Sequence, residues 1–155
     1  MSKTKRFLAF DLGAESGRAV LGTLEDERIQ LREVHRFRTE GLTMLGVRQW
    51  DVARIYEEMV NGIARCAREH GPELDGMGVD TWGVDYALVD GENNFIGRPF
   101  AYRDARTEGV MERFFREVLS AEEVYSITGI QFLVFNTLFQ PVSYTHLTLP
   151  TKRIV

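Results

Sequence analysis

Short apolar runs and alternating positions near the start of the chain predict three strands. Phe7–Phe10 is an apolar run typical of a buried strand, and it ends at Asp11. Arg18–Leu24 predicts a second strand, separated from the first only by a tight turn. Ile29–Phe37 alternates apolar and polar residues, with a slip at Arg32-Glu33, and predicts a third. Neighbouring strands with such short connections predict an antiparallel meander.

A helix is predicted next, from about Asp51 to His70. Asp51 is a suitable N-cap, and Gly71-Pro72 would end the helix. One apolar stripe carries the helical periodicity: Val52, Ile55, Tyr56, Met59, Val60, Ile63 and Ala67. The polar, glycine-containing stretch 38–49 that precedes the helix is left without an element.

Shorter elements follow the helix. Met77–Thr81 and Tyr86–Val89 are predicted strands, and the apolar residues of 110–119 predict a second helix. Ser120 and Glu123 have capping-box spacing and open a third helix. Three strands followed by a helix, a strand and further elements predict an α/β domain with a mixed sheet.

The last segment differs from the rest of the chain. Pro141–Val155 has two prolines, few charges and no recognisable periodicity. We expect a foreign or disordered tail over residues 141–155, which leaves residues 1–140 as the folded part.

Composition excludes several classes of protein. The net charge of −4 gives no electrostatic reason to bind nucleic acid or an anionic membrane. Cys66 is the single cysteine, so no internal disulfide can form, and the three histidines lack zinc-ligand spacing. The apolar run after the basic start is too short for a signal peptide or a membrane span. We therefore expect a cytoplasmic protein.

The first candidate site is the turn between the first two predicted strands. Asp11, at the end of a buried strand, is well placed to hold hydrated Mg²⁺. The turn and the residue after it supply backbone N–H groups, a hydroxyl and a guanidinium for phosphate oxygens: Gly13, Ala14, Glu15, Ser16, Gly17 and Arg18. The segment is neither a P-loop nor a dinucleotide fingerprint. An ordinary hairpin that needs Gly and Asp for its conformation would have the same residues.

The second candidate site follows the Met77–Thr81 strand. Asp80, Trp82 and Asp85 surround Gly83, at a strand end of the kind where α/β sheets commonly bind ligands. Carboxylates accept hydroxyl protons, an indole covers C–H surface, and glycine admits a polyol closely. Trp82 could equally fill the core.

Two weaker candidates lie further along the chain. Arg103, Asp104 and Arg106 could bind or order a substrate loop, or form a solvated cluster of salt bridges. Gln131 and Asn136 interrupt an apolar run, and their partners could be ligand or backbone.

Taken in order, these motifs resemble a known family. Residues 7–140 resemble the FGGY carbohydrate kinases, which share the actin-like ATPase (ribonuclease H-like) fold, and within them the rhamnulokinases. The resemblance rests on these segments: Asp11–Arg18, His35–Phe37, Trp50-Asp51, Asp80–Asp85, Ala101–Thr107 and Gly129–Thr137.

The resemblance implies specific roles. ATP phosphates would bind the 14–18 turn with Asp11 near the metal, and Gly83 would contact the sugar with help from its neighbours. The reaction would transfer the ATP γ-phosphate to the 1-hydroxyl of L-rhamnulose. The family's catalytic base and adenosine pocket would lie after Gln140, so no residue of this chain is assigned as the base.

Three alternatives remain open at this point. The chain could belong to an FGGY kinase for another ketose, such as fuculose or xylulose. It could instead be a non-catalytic sugar-binding module of the same fold. A piece this short could also fail to bury its core and be inactive alone.

Overall fold

The computed structural model describes residues 4–143, which form two compact units. The first contains residues 4–42 and 50–83, and the second contains residues 43–49 and 84–143. The strands are β1 (Lys5–Leu12), β2 (Ser16–Glu25), β3 (Arg28–Arg38), β4 (Gly41–Met44), β5 (Val47–Trp50) and β6 (Gly76–Thr81). The helices are α1 (Val52–His70), α2 (Val110–Glu117), α3 (Ala121–Thr128) and α4 (Phe139–Val142), with a 3-10 turn at Ala105–Thr107.

The first unit is built on a four-stranded mixed sheet in the order β3-β2-β1-β6. The β1–β2 and β2–β3 pairs are antiparallel, and β6 runs parallel to β1. The predicted meander and the mixed sheet are therefore confirmed. Ala19 pairs with His35 and Val20 with Glu33, so Val34 is the extra residue of a β-bulge. This bulge accounts for the slip in the alternation of the third strand.

Helix α1 covers one face of this sheet and creates the core of the first unit. Asp51 caps it, because its carboxylate accepts a hydrogen bond from the Arg54 N–H at 3.2 Å. Gly62 allows a close approach, since a Cβ there would lie 3.2 Å from side-chain atoms of Phe10 and Ala19. The buried cluster between the helix and the sheet comprises Leu8, Phe10, Leu12, Ala19, Leu21, Val34, Phe37, Ile55 and Cys66.

The second unit contains the helices α2 to α4 and most of the β4–β5 hairpin. Its core residues are Val110, Phe114, Val124 and Phe139. The predicted capping box is confirmed, because the Ser120 hydroxyl and the Glu123 carboxylate each accept from the other residue's backbone N–H.

Several sequence predictions were wrong. The stretch 38–49 contains the unpredicted hairpin, whose turn has Leu45 and Gly46 at positive φ. Tyr86–Val89 is not a strand, because only Val89 forms a bridge, to Phe95. The Asp90 carboxylate then accepts hydrogen bonds from the N–H groups of Glu92 and Asn94. A single bridge does not make a strand, so the run of apolar residues alone gave a wrong strand prediction.

Two helix predictions need smaller corrections. Tyr56 and Val60, placed in the apolar stripe of α1, are 68% and 44% exposed. They lie on the flank of the helix, away from the buried positions Ile55, Gly62 and Cys66. Helix α2 ends at Glu117, and the apolar Val118 that was counted with it is exposed.

The expected tail boundary falls inside α4. Pro141 lies in the first turn of this helix, where its missing N–H removes no helical hydrogen bond, and Val142 packs against the second core. Residues 144–155, the rest of the expected tail, lie outside the described residues. Between residues 4 and 143, no helix is long and apolar enough to cross a membrane.

Candidate functional site

Asp11 and Arg18 face each other across β1 and β2 and form an ion pair. The Asp11 carboxylate accepts from Arg18 Nε at 2.8 Å and lies 2.6 Å from Nη2. Both side chains are about half exposed, at 49% and 46%. Because alternate residues of β1 are buried under α1, Asp11 lies on the opposite face of the sheet, away from the helix. The pair is thus open to solvent and to a ligand.

A second carboxylate lies beside Asp11. Asp80 on β6 is in parallel register with Asp11, near the carboxyl ends of both strands. Its carboxylate accepts the Thr81 N–H at 3.0 Å. The sheet therefore brings two of the predicted site carboxylates to one edge, next to a guanidinium.

The turn between β1 and β2 is held by a residue that sequence reasoning missed. Gly13 N–H donates to Ser16 O at 3.0 Å and closes the turn. Thr39 is fully buried; its hydroxyl donates to Gly13 O at 2.5 Å, and its N–H donates to Glu15 O at 3.2 Å. Thr39, the residue that follows β3, thus stabilises the candidate phosphate turn. No local pattern marks such a long-range contact.

Packing in the first core leaves no room for a side chain at Gly17. It is buried on the face under α1 and pairs with Phe37 of β3. A Cβ at Gly17 would overlap the Phe37 ring. The fold therefore requires glycine at this position, apart from any approach of phosphate to the turn.

Trp82 follows β6 directly. Its N–H donates to Leu12 O at 3.0 Å, which extends the β1–β6 pairing by one residue. The indole is partly buried, packs against the first core, and lies 4.6 Å from the Trp50 ring, centroid to centroid. Gly83 comes next, and a Cβ there would meet nothing within 4 Å. Trp82 therefore both packs against the core and leaves part of its ring accessible.

The remaining predicted site residues belong to the second unit, where they have different surroundings. Asp104 is 8% exposed, and its carboxylate accepts the N–H groups of Arg48 at 2.7 Å and Arg106 at 3.0 Å. Arg103 is exposed, with its guanidinium 5.2 Å from the Tyr102 ring centroid. Asp85 is half-buried and Gln131 is exposed. The geometry of Asp104 is that of a residue that orders backbone.

A buried polar network in the second unit was also missed. Gln140 is fully buried; its amide donates to Val84 O at 2.8 Å and Phe135 O at 3.0 Å, and accepts from Arg106 Nη2 at 2.5 Å. Thr137 donates to the same Val84 oxygen at 2.9 Å. Val84 has φ +69°, a strained value for a β-branched residue. Two hydrogen bonds therefore hold a strained residue just after Gly83.

Two other reactive or charged groups are accounted for by the fold. Cys66 is 1% exposed in the first core, and burial raises the pKa of its thiol, which disfavours the reactive thiolate. Arg36 lies opposite Arg18 in the sheet and pairs with Glu33; the hydrogen bond from Arg36 lowers the pKa of the Glu33 carboxyl. This ion pair keeps the sheet face next to Arg18 charged.

The donor atoms near Asp11 suit a hydrated magnesium ion better than a softer metal. Asp11 and Asp80 offer hard carboxylate oxygens. Within residues 4–143, no group of three or more His, Cys, Asp or Glu side chains is arranged to hold a metal. Mg²⁺ commonly binds through one or two carboxylates and takes its other ligands from water and phosphate. The residues present fit that mode of binding.

Comparisons with known proteins cover most of the chain. The N-terminal domain of the FGGY family of carbohydrate kinases matches residues 6–141. A rhamnulokinase from Mannheimia succiniciproducens is 46% identical over 134 residues, which are 85% of this chain and 27% of that protein. One from Bacteroides thetaiotaomicron is 40% identical over 136 residues, 88% of this chain and 28% of that protein. The chain thus spans little more than a quarter of these curated relatives.

Solved structures show the same fold at low sequence identity. Gluconate kinase from Lactobacillus acidophilus superposes with a TM-score of 0.76 at 11% identity, covering 92% of this chain and 28% of that one. Plasmodium falciparum glycerol kinase with ADP gives 0.72 at 14% identity, with coverage of 92% and 29%. The α/β, actin-like fold with a mixed sheet is therefore confirmed.

Proposed function

The chain belongs to the FGGY family of carbohydrate kinases, and from that premise we propose that it supplies the phosphate-binding hairpin and part of the sugar site of an ATP-dependent L-rhamnulose kinase. The observation that carries the proposal is the Asp11–Arg18 pair, which lies beside a glycine turn at the end of two parallel strands. The names of the curated relatives support L-rhamnulose as the sugar.

Each residue of the hairpin has a distinct task in this proposal. Arg18 and the 13–17 turn bind and orient the ATP phosphates, and Asp11 with Asp80 accepts hydrogen bonds from the water shell of Mg²⁺ or binds it directly. When bound, the ion neutralises charge on the transferred phosphoryl group. Because the Asp11–Arg18 ion pair is half exposed, its loss costs little, and Arg18 is free to turn to phosphate.

The second set of residues binds the sugar. Trp82 covers C–H surface of the ketose, Gly83 lets it approach the backbone, and Asp80 accepts hydrogen bonds from hydroxyl groups. In the second unit, Asp85, Arg103, Asp104 and Gln131 are proposed as further sugar-binding residues, with Asp104 acting through the backbone that it holds. The catalytic base and the adenosine pocket are proposed to lie in the part of the relatives that this chain does not match.

We place the end of the kinase-domain part of the chain after α4, because Val142 packs against the second core. This boundary is slightly later than Gln140. The residues that follow α4 are proposed not to belong to the kinase domain.

We expect no ATP-dependent phosphorylation of L-rhamnulose by the chain alone. Phosphoryl transfer needs the sugar hydroxyl, a base and the γ-phosphate held within reacting distance, and the base is proposed to lie in the part of the relatives that this chain does not match. A chimera that carries residues 6–141 in place of the matching segment of the M. succiniciproducens rhamnulokinase should be active. Coupled ADP release measures both proteins.

The sugar panel of this assay separates the alternatives. L-rhamnulose should be preferred over L-fuculose and D-xylulose; the reverse preference would indicate a kinase for another ketose. A folded chimera that binds sugar but turns over none of them would support a non-catalytic module. Turnover by the 155-residue chain alone would refute the assignment of the base to another segment.

Gly83→Leu in the chimera should raise the KM for L-rhamnulose about tenfold, with little change in the KM for ATP. A side chain at this position meets open space, so the fold tolerates it and only the approach of the ligand is blocked. Gly91→Leu is the matched control, because a Cβ at that exposed turn also meets nothing within 4 Å. An unchanged sugar KM in Gly83→Leu would remove Gly83 from the site.

A further inference from the structure

The chain has only two tryptophans, and they contact each other. Trp50 and Trp82 lie in the first unit with ring centroids 4.6 Å apart and an interplanar angle of 49°. Aromatic pairs at this distance contribute attraction beyond the area that they bury. The contact thus joins the end of β5 to the residue that follows β6.

The two indoles differ in accessibility. Trp50 is 5% exposed, so a ligand cannot reach it, whereas Trp82 is only partly buried. The backbone next to Trp50 is rigid, because Asp51 caps α1. The backbone of Trp82 is held by its hydrogen bond to Leu12 O. One ring is therefore fixed, and the other rests on it with part of its surface available.

We propose that Trp50 is a positioning residue, which sets the orientation of the Trp82 indole for contact with the sugar. This inference rests on the proposed function, since it requires Trp82 to cover the ketose. Trp50 acts only through Trp82.

The physical reason is conformational entropy. A tryptophan side chain rotates about two bonds. Contact with the buried Trp50 ring restricts this rotation before the sugar arrives. If the Trp82 ring is already ordered in the free protein, sugar binding does not have to supply the free energy for ordering it, and the affinity is higher.

A role in packing alone makes a different prediction. If Trp50 only fills space, its substitution lowers stability but leaves sugar affinity equal among folded variants. Val34→Ala gives the matched control for lost stability, since Val34 is 3% exposed on β3, in the same unit as Trp50 and in the core that Trp82 packs against.

The first experiment needs no sugar. Trp50→Phe and Trp50→Leu in the full 155-residue chain leave Trp82 as the single tryptophan, and acrylamide quenching measures its accessibility. We expect quenching to rise in Trp50→Leu and to rise less in Trp50→Phe, which keeps a ring under Trp82. The exciton signal of the tryptophan pair in circular dichroism should vanish in both variants. Equal quenching of Trp82 in the Phe and Leu variants would overturn the inference.

The second experiment titrates L-rhamnulose against the same proteins by ligand-observed NMR. Affinity should fall about threefold in Trp50→Phe and about tenfold in Trp50→Leu, and stay unchanged in Val34→Ala. In the chimera the same changes should appear in the sugar KM, with kcat and the KM for ATP nearly constant. Equal affinity in Trp50→Leu and the parent would overturn the inference. If neither the chain nor the chimera binds the sugar, the proposed function fails and the inference falls with it, whereas sugar binding with equal affinity in Trp50→Leu overturns the inference alone.

Discussion

Replacing Asp11 by Asn in the chimera is expected to lower kcat with L-rhamnulose by at least about a hundredfold. Asparagine keeps the size of the side chain and can still accept a hydrogen bond from Arg18. It removes the negative charge that, together with Asp80, favours Mg²⁺ at this edge of the sheet. Part of the lost rate should return when the Mg²⁺ concentration is raised, since the variant binds the ion more weakly.

Stability should change little in Asp11→Asn, because the ion pair that it weakens is half exposed. Thermal unfolding of parent and variant tests this directly. Asp26→Asn is the control: Asp26 lies in the β2–β3 turn, at the other end of the strand from Arg18, and has positive φ, which asparagine also tolerates. A variant at Asp11 that keeps a rate within threefold of the parent would remove this carboxylate from the catalytic site.

Gly17→Ala is expected to destabilise the chain by about 2–3 kcal/mol, which lowers Tm by roughly 5–10 °C. The added methyl group would overlap the Phe37 ring, which is buried under α1 and has little room to move. Phe37→Leu in the same chain should recover part of the loss, because the smaller side chain makes space for the methyl group. A double-mutant cycle of the two substitutions measures their coupling.

Gly22→Ala on the same strand is the matched control. A Cβ at Gly22 would lie 3.5 Å from Leu31 Cδ2, an ordinary contact, so its Tm should stay close to that of the parent. If Gly17→Ala unfolded at the parental temperature and changed only nucleotide binding, the glycine would serve phosphate and the packing argument would be wrong.

Strongly periodic segments with local end signals were predictable from the sequence. The meander follows from short turns between apolar strands, and α1 follows from its cap at Asp51 and its stop at Gly71. The β4–β5 hairpin was not predictable, because Leu42 and Met44 are exposed and its turn begins with Leu45, a residue type that does not indicate positive φ. Tyr86–Val89 shows the opposite error, since apolar residues there lack a partner strand.

The candidate site was predictable as far as it depends on residues close in sequence. Asp11 and Arg18 are brought together by their own hairpin. The roles of Thr39 and Gln140 were not predictable, because their side chains donate hydrogen bonds to carbonyl groups 26 and 56 positions away in the chain. The packing requirement at Gly17 was not predictable for the same reason: its partner Phe37 lies on another strand.

The strained backbone at Val84 has a consequence for how this sequence varies by mutation. A glycine there would adopt the observed φ of +69° without penalty. Every valine codon becomes a glycine codon through one nucleotide change, so relief of the strain is always a single mutation away. The chain thus carries, at some expense of stability, a strain at Val84 that one nucleotide change would relieve.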